Sequence, residues 1–149
     1  MKEGKHMTDC IFCKIVANEI PSFTIYEDEN IKVFLDISQT TPGHTLVIPK
    51  KHVADIFEYD QALASAVFAK IPMIASAIKA SNPDIQGMNI INNNGAIAYQ
   101  SVFHSHFHLI PRYTTKDTFK ISFKDNSKKY APDQLESMMS SIKNMIGEK

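Results

Sequence analysis

The sequence predicts an α+β fold, in which an antiparallel sheet of about five strands carries two main helices. Short segments rich in β-branched and aromatic side chains, bounded by turn-forming residues, predict the strands. Apolar side chains at helical spacing predict one helix over residues 60–80 and another near the C-terminal end.

Four strands are predicted before the histidine-rich part of the chain. They cover residues 24–27, 31–37, 44–49 and 87–93, with a tight turn at residues 27–30 between the first two. Pro49 ends the third strand, and the residues after the fourth are rich in Asn and Gly, which suit turns. On this evidence Asn92 and Asn94 are turn residues.

The two helices are predicted from their apolar stripes. The first has Asp60 as its N-cap and contains Pro72, which is expected to kink it. Its stripe, interpreted as core rather than as a cofactor site, consists of Leu63, Val67, Phe68, Ile71, Ile74 and Ile78. The last helix begins near Pro132 and is amphipathic. We expect its stripe to pack on the domain or on a second subunit, and it comprises Leu135, Met138, Met139, Ile142, Met145 and Ile146.

Composition narrows the class of protein. The chain has 149 residues, of which 44% are hydrophobic and 21% charged, as is ordinary for a globular protein. Its 16 basic and 16 acidic side chains balance, which argues against a nucleic acid polymer as the main partner. No apolar run approaches a membrane span and no secretory signal is visible, so we expect a cytoplasmic protein without a membrane partner. Residues 1–7 are expected to be a disordered leader or a cloning remnant, and residues 8–149 a single domain.

The most informative stretch is residues 100–112, which contains three histidines at alternate positions. Interleaved apolar residues predict a strand here, and side chains alternate between the two faces of a strand. His104, His106 and His108 are therefore expected on one face, about 7 Å apart from neighbour to neighbour. Ser105 is expected to face away from them.

Three imidazoles in register indicate chemistry rather than a solvated surface. Imidazole can act as nucleophile, general acid or base, or metal ligand near pH 7. One hypothesis is an enzyme that uses a histidine as its nucleophile. A competing hypothesis is a metalloenzyme in which the three histidines bind a catalytic zinc ion. Histidines at positions i and i+4 of a flat strand converge poorly on one ion, which disfavours the second hypothesis. His44, which stands alone, is interpreted as a structural histidine.

Cys10 and Cys13 form a C-x-x-C pair near the start of the chain. A redox pair, half of a zinc site, and two apolar fillers are all compatible with this spacing. A disulfide is a poor default in a cytosolic protein, and nothing upstream supplies the strand that a thioredoxin-like motif should follow. A zinc site needs two more ligands, for which His52 and His104 are available.

The chain resembles the histidine triad family of nucleotide hydrolases and transferases. The run from His104 to Ile110 is similar to the family signature, and matching segments occur in the family's order at residues 11–12, 33–37 and 42–52, and at Asn93 with Gly95. The resemblance covers about residues 8–113 and is strongest to the small branch that hydrolyses nucleoside phosphoramidates. Ser105 stands where the family usually has an apolar residue, and residues 96–99 replace a more glycine-rich loop.

This resemblance implies a mechanism for a purine nucleotide substrate such as an adenosine 5′-phosphoramidate. His106 is expected to attack the α-phosphorus and form a covalent nucleotidyl-histidine, with His108 bonding the phosphate oxygens. Ser101 and Asn93 would contact the phosphate or the leaving group, and Asp36 the ribose hydroxyls. The apolar positions that the family uses for the nucleoside pocket, and that core packing would also explain, are Ile11, Phe12, Ile15, Phe34 and Ile37.

The resemblance also implies a homodimer and a structural zinc ion held by Cys10, Cys13, His52 and His104. Four protein ligands would leave this ion no open position, so no catalytic metal is expected. Two other functions stay open. These are a dinucleoside polyphosphate hydrolase of the same family and a nucleotide-binding regulator with weak turnover.

Overall fold

The computed structural model describes residues 9–146. Contacts divide the chain into one compact unit that ends at Phe119 and another that begins at Lys120. The expected leader at residues 1–7 lies outside the described residues, and the single domain over residues 8–149 stays a prediction.

Five strands form one sheet in the first unit, which confirms the predicted architecture. The strands are β1 (Thr24–Glu27), β2 (Ile31–Leu35), β3 (Thr45–Pro49), β4 (Gly87–Asn92) and β5 (Phe107–Arg112). Their spatial order is β1-β2-β3-β5-β4, and every neighbouring pair is antiparallel. The second strand was predicted over residues 31–37, but β2 ends at Leu35, so Asp36 follows the strand.

Four α-helices lie wholly within the described residues, and the first of them was not predicted. They are α1 (Ile11–Val16), α2 (Gln61–Phe68), α3 (Ile71–Ser81) and α4 (Pro132–Ile146). The N-cap role of Asp60 is confirmed, because its side chain accepts a hydrogen bond from the N–H of Leu63 at 2.8 Å. The prediction of one kinked helix over residues 60–80 is wrong. Pro72 lies in the first turn of α3, where its missing N–H leaves no hydrogen bond unmade.

The helices of the first unit cover both faces of the sheet. Val33 and Val47 belong to a buried cluster with α2 and α3, while their neighbours Phe34 and Leu46 belong to another with α1. Because side chains alternate along a strand, these clusters lie on opposite faces. Phe107 and Leu109 pack with α2 and α3, so His108 between them projects toward the α1 face.

The segment Gln61–Ser81 is long and apolar enough to cross a membrane by length and composition alone, since an 18-residue stretch of it has a mean hydropathy of 1.5. The expectation that no apolar run approaches a membrane span is therefore wrong. In the structure this segment is interrupted between α2 and α3, and Val67, Ile71 and Ile74 are buried against the sheet. Core helices commonly have such a composition.

The prediction of one strand through all three histidines is also wrong. β5 begins at Phe107, and His104 and His106 lie in the irregular segment that precedes it. The chain is therefore free to turn the side chain of His104 to a different partner set from that of His106. Ser105 points elsewhere, with its hydroxyl 2.9 Å from that of Tyr59.

A buried lysine holds the end of α1. Lys32 is 2% exposed, and its Nζ donates to the carbonyl of Ile15 at 3.0 Å and to Oδ1 of Asn18 at 2.8 Å. A helix of six residues is not stable alone. Lys32 satisfies a carbonyl at the C-terminal end of this helix, where a cation is favourable.

The second unit contains α4, and its helical prediction is confirmed. The predicted apolar stripe lies along this helix, with exposed fractions from 45% at Met138 to 73% at Ile146. The partner of this stripe stays a prediction.

Candidate active site

A cavity of about 260 Å³ lies between α1 and the sheet. Nine of the ten residues predicted to bind the nucleotide line it, namely Ile11, Phe12, Ile15, Phe34, Asp36, Ile37, Ser101, His106 and His108. Asn93 does not line it, and sits in the adjacent loop with its side chain directed to the carbonyl of Tyr99 at 3.4 Å. Pattern reasoning missed the remaining wall, which includes Ile20, Pro21, Phe23 and Val102.

A backbone hydrogen bond fixes the orientation of the His106 ring. Its Nδ1 lies 2.8 Å from the carbonyl oxygen of His104. A carbonyl only accepts hydrogen bonds, so Nδ1 carries the proton and Nε2 keeps a lone pair. Burial lowers the pKa of His106 below its ordinary value, against the opposing effects of the His104 carbonyl and the Asp36 carboxylate. At neutral pH His106 is therefore an uncharged imidazole with a nucleophilic Nε2.

The main chain of His106 has a partner of its own. Nδ2 of Asn92 donates to the His106 carbonyl oxygen at 2.9 Å, just beyond the end of the ladder between β4 and β5. Asn94 supports Asn92 through a 2.7 Å bond between their side chains and accepts from the N–H of Ile56 at 2.8 Å. Asn92 thus binds the segment that carries His106, and Asn94 binds the segment at Ile56. Their interpretation as turn residues did not predict these contacts.

His108 bonds to a histidine on a neighbouring element. Nε2 of His44 lies 2.9 Å from Nδ1 of His108, and Nδ1 of His44 accepts from the N–H of Thr40 at 3.3 Å. Because Nδ1 of His44 accepts a hydrogen bond, the proton of this ring is on Nε2, which donates to Nδ1 of His108. Nδ1 of His108 is therefore an acceptor, and the proton of His108 is on its Nε2. Burial, followed by the neighbouring His106 and His44, lowers the pKa of His108 to about 4. His108 is therefore a neutral donor, and His44 fixes its tautomer.

Asp36 supplies the negative charge of the cavity wall. Its Oδ1 accepts from the N–H of Ser38 at 2.8 Å and from the Ser38 hydroxyl at 2.6 Å. Burial would raise the pKa of Asp36, but these hydrogen bonds and the nearby His44 and His108 bring it below its usual value. Asp36 is ionised at neutral pH and can accept hydrogen bonds from a ligand.

A glutamine orders the loop that leads to Ser101. Gln100 is 4% exposed, and its Nε2 donates to the carbonyls of Ala54 at 2.6 Å and Val102 at 3.0 Å. Its Oε1 accepts from the N–H of Gly95 at 2.8 Å. Gly95 has a φ of 93°, which a side chain rarely tolerates. The backbone on both sides of residues 96–99 is thus fixed by one side chain.

Cys10, Cys13, His52 and His104 converge beside the cavity, with all four ligand atoms within 4.8 Å of one another. Nδ1 of His104 lies 3.4 Å from the sulfur of Cys10 and 3.5 Å from that of Cys13. Nδ1 of His52 lies 3.2 Å from the sulfur of Cys13. A tetrahedral zinc ion would separate sulfur from nitrogen ligands by about 3.5 Å, so this spacing fits zinc.

The protonation of the cluster also suits a cation. Nε2 of His104 lies 2.7 Å from the carbonyl of Pro49, which leaves the lone pair on Nδ1 facing the sulfurs. Burial lowers the pKa of His104 to about 4. Burial, and then Cys10, raises the pKa of the Cys13 thiol to about 12. A cation would convert these thiols to thiolates, and its four ligands would leave no open position for water.

A second group of metal-ligating side chains lies in the cavity itself, where Asp36, His44 and His108 bring ligand atoms within 4.8 Å. Here the hydrogen bonds point to a different role. Because the N–H of Thr40 occupies Nδ1 of His44, the Nε2 that faces the group carries a proton. The arrangement therefore favours proton donation to His108 over metal coordination.

The family model described as HIT domain matches residues 17–115. The chain belongs to the HIT family. A crystal structure of a HIT family member from Bacillus subtilis has 48% sequence identity and a TM-score of 0.89, over 91% of this chain and 96% of that one. The relative named adenosine 5′-monophosphoramidase hnt1, from Schizosaccharomyces pombe, is 42% identical over 69% of this chain and 74% of its own length. A structure described as a Zn-bound histidine triad family protein, from Mycobacterium smegmatis, has 34% identity and a TM-score of 0.70, over 93% of this chain and 99% of that one.

Replacing Asn92 by Ala should lower kcat by about tenfold while changing KM little. The reason is that the change frees the peptide that orients His106, and small displacements of a reacting group are costly. Asn92→Asp should lower kcat at least as much, because it keeps the shape but turns the donor into an acceptor facing a carbonyl. Steady-state kinetics on a nucleotide substrate checks this. A normal kcat in Asn92→Asp would show that the hydrogen bond does not position the histidine.

Proposed function

We propose that this HIT protein hydrolyses adenosine 5′-phosphoramidates through a covalent nucleotidyl intermediate on His106. The observation that carries the proposal is the fixed tautomer of His106, whose Nδ1 bonds to the His104 carbonyl and whose Nε2 is left nucleophilic at the cavity. A relative from S. pombe is named adenosine 5′-monophosphoramidase, which supports this substrate class.

In the first step Nε2 of His106 attacks the α-phosphorus and forms a phosphorus–nitrogen bond. The bond from phosphorus to the leaving amine breaks, and its electron pair stays on that nitrogen, which takes up a proton. We assign this proton to solvent, delivered through the Ser101 hydroxyl, which donates to the leaving nitrogen and is reprotonated by water. Nε2–H of His108 donates to a phosphate oxygen as charge develops there. A neutral histidine does this without a metal ion.

In the second step water attacks the same phosphorus, and the bond to Nε2 of His106 breaks with its electron pair returning to that nitrogen. The attacking water releases a proton to solvent, which replaces the proton used in the first step. AMP leaves, and His106 returns to its neutral tautomer. The apolar cavity walls bind the base, while Asp36 accepts hydrogen bonds from the ribose hydroxyls. Phe12 and Phe34 contribute aromatic surface to this wall, and their ring centroids lie 5.9 Å apart in an edge-to-face pair.

Substituting His106 by Asn should reduce AMP release from adenosine 5′-phosphoramidate by about a thousandfold or more, because the nucleophile is lost. Titration with AMP should show that nucleotide binding is kept, and wild-type turnover should continue with a chelator present. Turnover that survives in His106→Asn would overturn the proposal. Negligible wild-type turnover with tight AMP binding would instead support a nucleotide-binding regulator. Selective cleavage of dinucleoside polyphosphates would support the dinucleoside polyphosphate hydrolase of the same family.

We also propose that Cys10, Cys13, His52 and His104 hold a structural zinc ion. The spacing and tautomers of these side chains support this, as does the Zn-bound relative from M. smegmatis. Bound there, zinc would tie the N-terminal end of α1 to the segment that carries His104, and it would supply no catalytic water.

The purified protein should contain about one zinc ion per chain, and Cys13→Ser should lose it because two thiolates anchor the site. Elemental analysis after dialysis measures this. His106→Asn is the matched control, since it removes an imidazole outside the cluster and should retain the metal. Loss of zinc in that control would move the ion to the catalytic histidines, and its retention in Cys13→Ser would refute the assigned ligands.

A further inference from the structure

A second cavity, of about 310 Å³, adjoins the nucleotide cavity. Three residues, Ile11, Ser101 and Val102, line both cavities. His106 and His108 line only the first, and Asp9 and Phe103 line only the second. The two cavities are therefore neighbours across a wall that includes Ser101.

Phosphoryl-transfer geometry relates this second cavity to the reaction. The attacking and leaving atoms lie roughly in line through phosphorus, so the leaving group departs on the side away from Nε2 of His106. Ser101, to which we assigned the proton for the leaving nitrogen, lines both cavities. A leaving group next to Ser101 would therefore lie at the shared wall. Beyond that wall is the second cavity.

The lining of the second cavity indicates which leaving groups it suits. Ile11 and Phe103 are about half exposed, at 47% and 53%, and with Val102 they offer apolar surface to a short alkyl chain. Cys10 and His52 belong to the metal cluster, whose two thiolates would balance the charge of a zinc ion. Among the described residues that line this cavity, Asp9 is the one with a carboxylate, and it lies outside the cysteine–histidine cluster.

We propose that the second cavity receives the leaving amine and that Asp9 selects amines that carry a second, cationic amino group at the end of a short alkyl chain. This inference rests on the proposed function. When the phosphorus–nitrogen bond breaks, its electron pair goes to the leaving nitrogen, which is protonated as before. The distal ammonium keeps its proton throughout and pairs with the carboxylate of Asp9.

Two adenosine 5′-phosphoramidates of equal chain length test the selection, one made from n-pentylamine and the other from 1,4-diaminobutane joined through one nitrogen. Wild type should favour the cationic substrate in kcat/KM by about three- to tenfold at low ionic strength, because one partly exposed ion pair is weak. The preference should shrink with added salt. The chain has no net charge, so general attraction contributes little.

Asp9→Asn should bring the ratio of the two kcat/KM values to about one. The matched control is Asp84→Asn, which removes an exposed carboxylate that does not line either cavity, and it should keep the wild-type ratio. Two outcomes would overturn the selection by Asp9 while leaving the proposed function intact. In one, wild type hydrolyses both substrates with equal kcat/KM; in the other, Asp9→Asn keeps the wild-type ratio of the two kcat/KM values. Failure of wild type to hydrolyse either substrate would overturn both.

Discussion

The hydrogen bond between Nδ1 of His106 and the carbonyl of His104 is the interaction on which the rest of the site depends. It decides which nitrogen of His106 is nucleophilic, and it requires the peptide after His104 to stay in place. The side chain of His104 secures that peptide, because one of its nitrogens bonds to Pro49 and the other faces the two cysteines. One residue thus joins the cysteine–histidine cluster through its side chain and orients His106 through its backbone.

The short helix α1 connects the same two centres. Cys10 caps this helix and Cys13 lies within it, while Phe12 packs edge-on against His106 with ring centroids 5.0 Å apart. Six residues do not form a stable helix alone, so α1 depends on tertiary contacts at both ends. The cysteine–histidine cluster holds its start and the buried ammonium of Lys32 holds its end. Pocket shape and cluster integrity are therefore coupled through one element.

Patterns that act over a few residues predicted the sheet, the N-cap of Asp60 and the amphipathic last helix, because alternation and helical periodicity are local. They failed where distant contacts decide the structure. A strand was expected through His104, but that imidazole turns to cysteines more than ninety positions earlier in the chain, and regular pairing begins only at Phe107. Lys32, Asn92 and His44 gave no local signal either, since their partners are a helix carbonyl, a backbone oxygen and another histidine. The resemblance to the histidine triad family pointed to the cavity residues, yet not to the groups that orient them.

The covalent step is the central claim, and rapid quenching of the wild-type enzyme with an adenosine 5′-phosphoramidate tests it most directly. Intact-protein and peptide mass spectrometry of the quenched samples should show an adenylyl group that appears on His106 before AMP reaches its steady-state rate, and that decays once substrate is exhausted. AMP release with no adduct at any time, under conditions in which a chemically adenylylated histidine survives the quench, would contradict the account and point to direct attack by water.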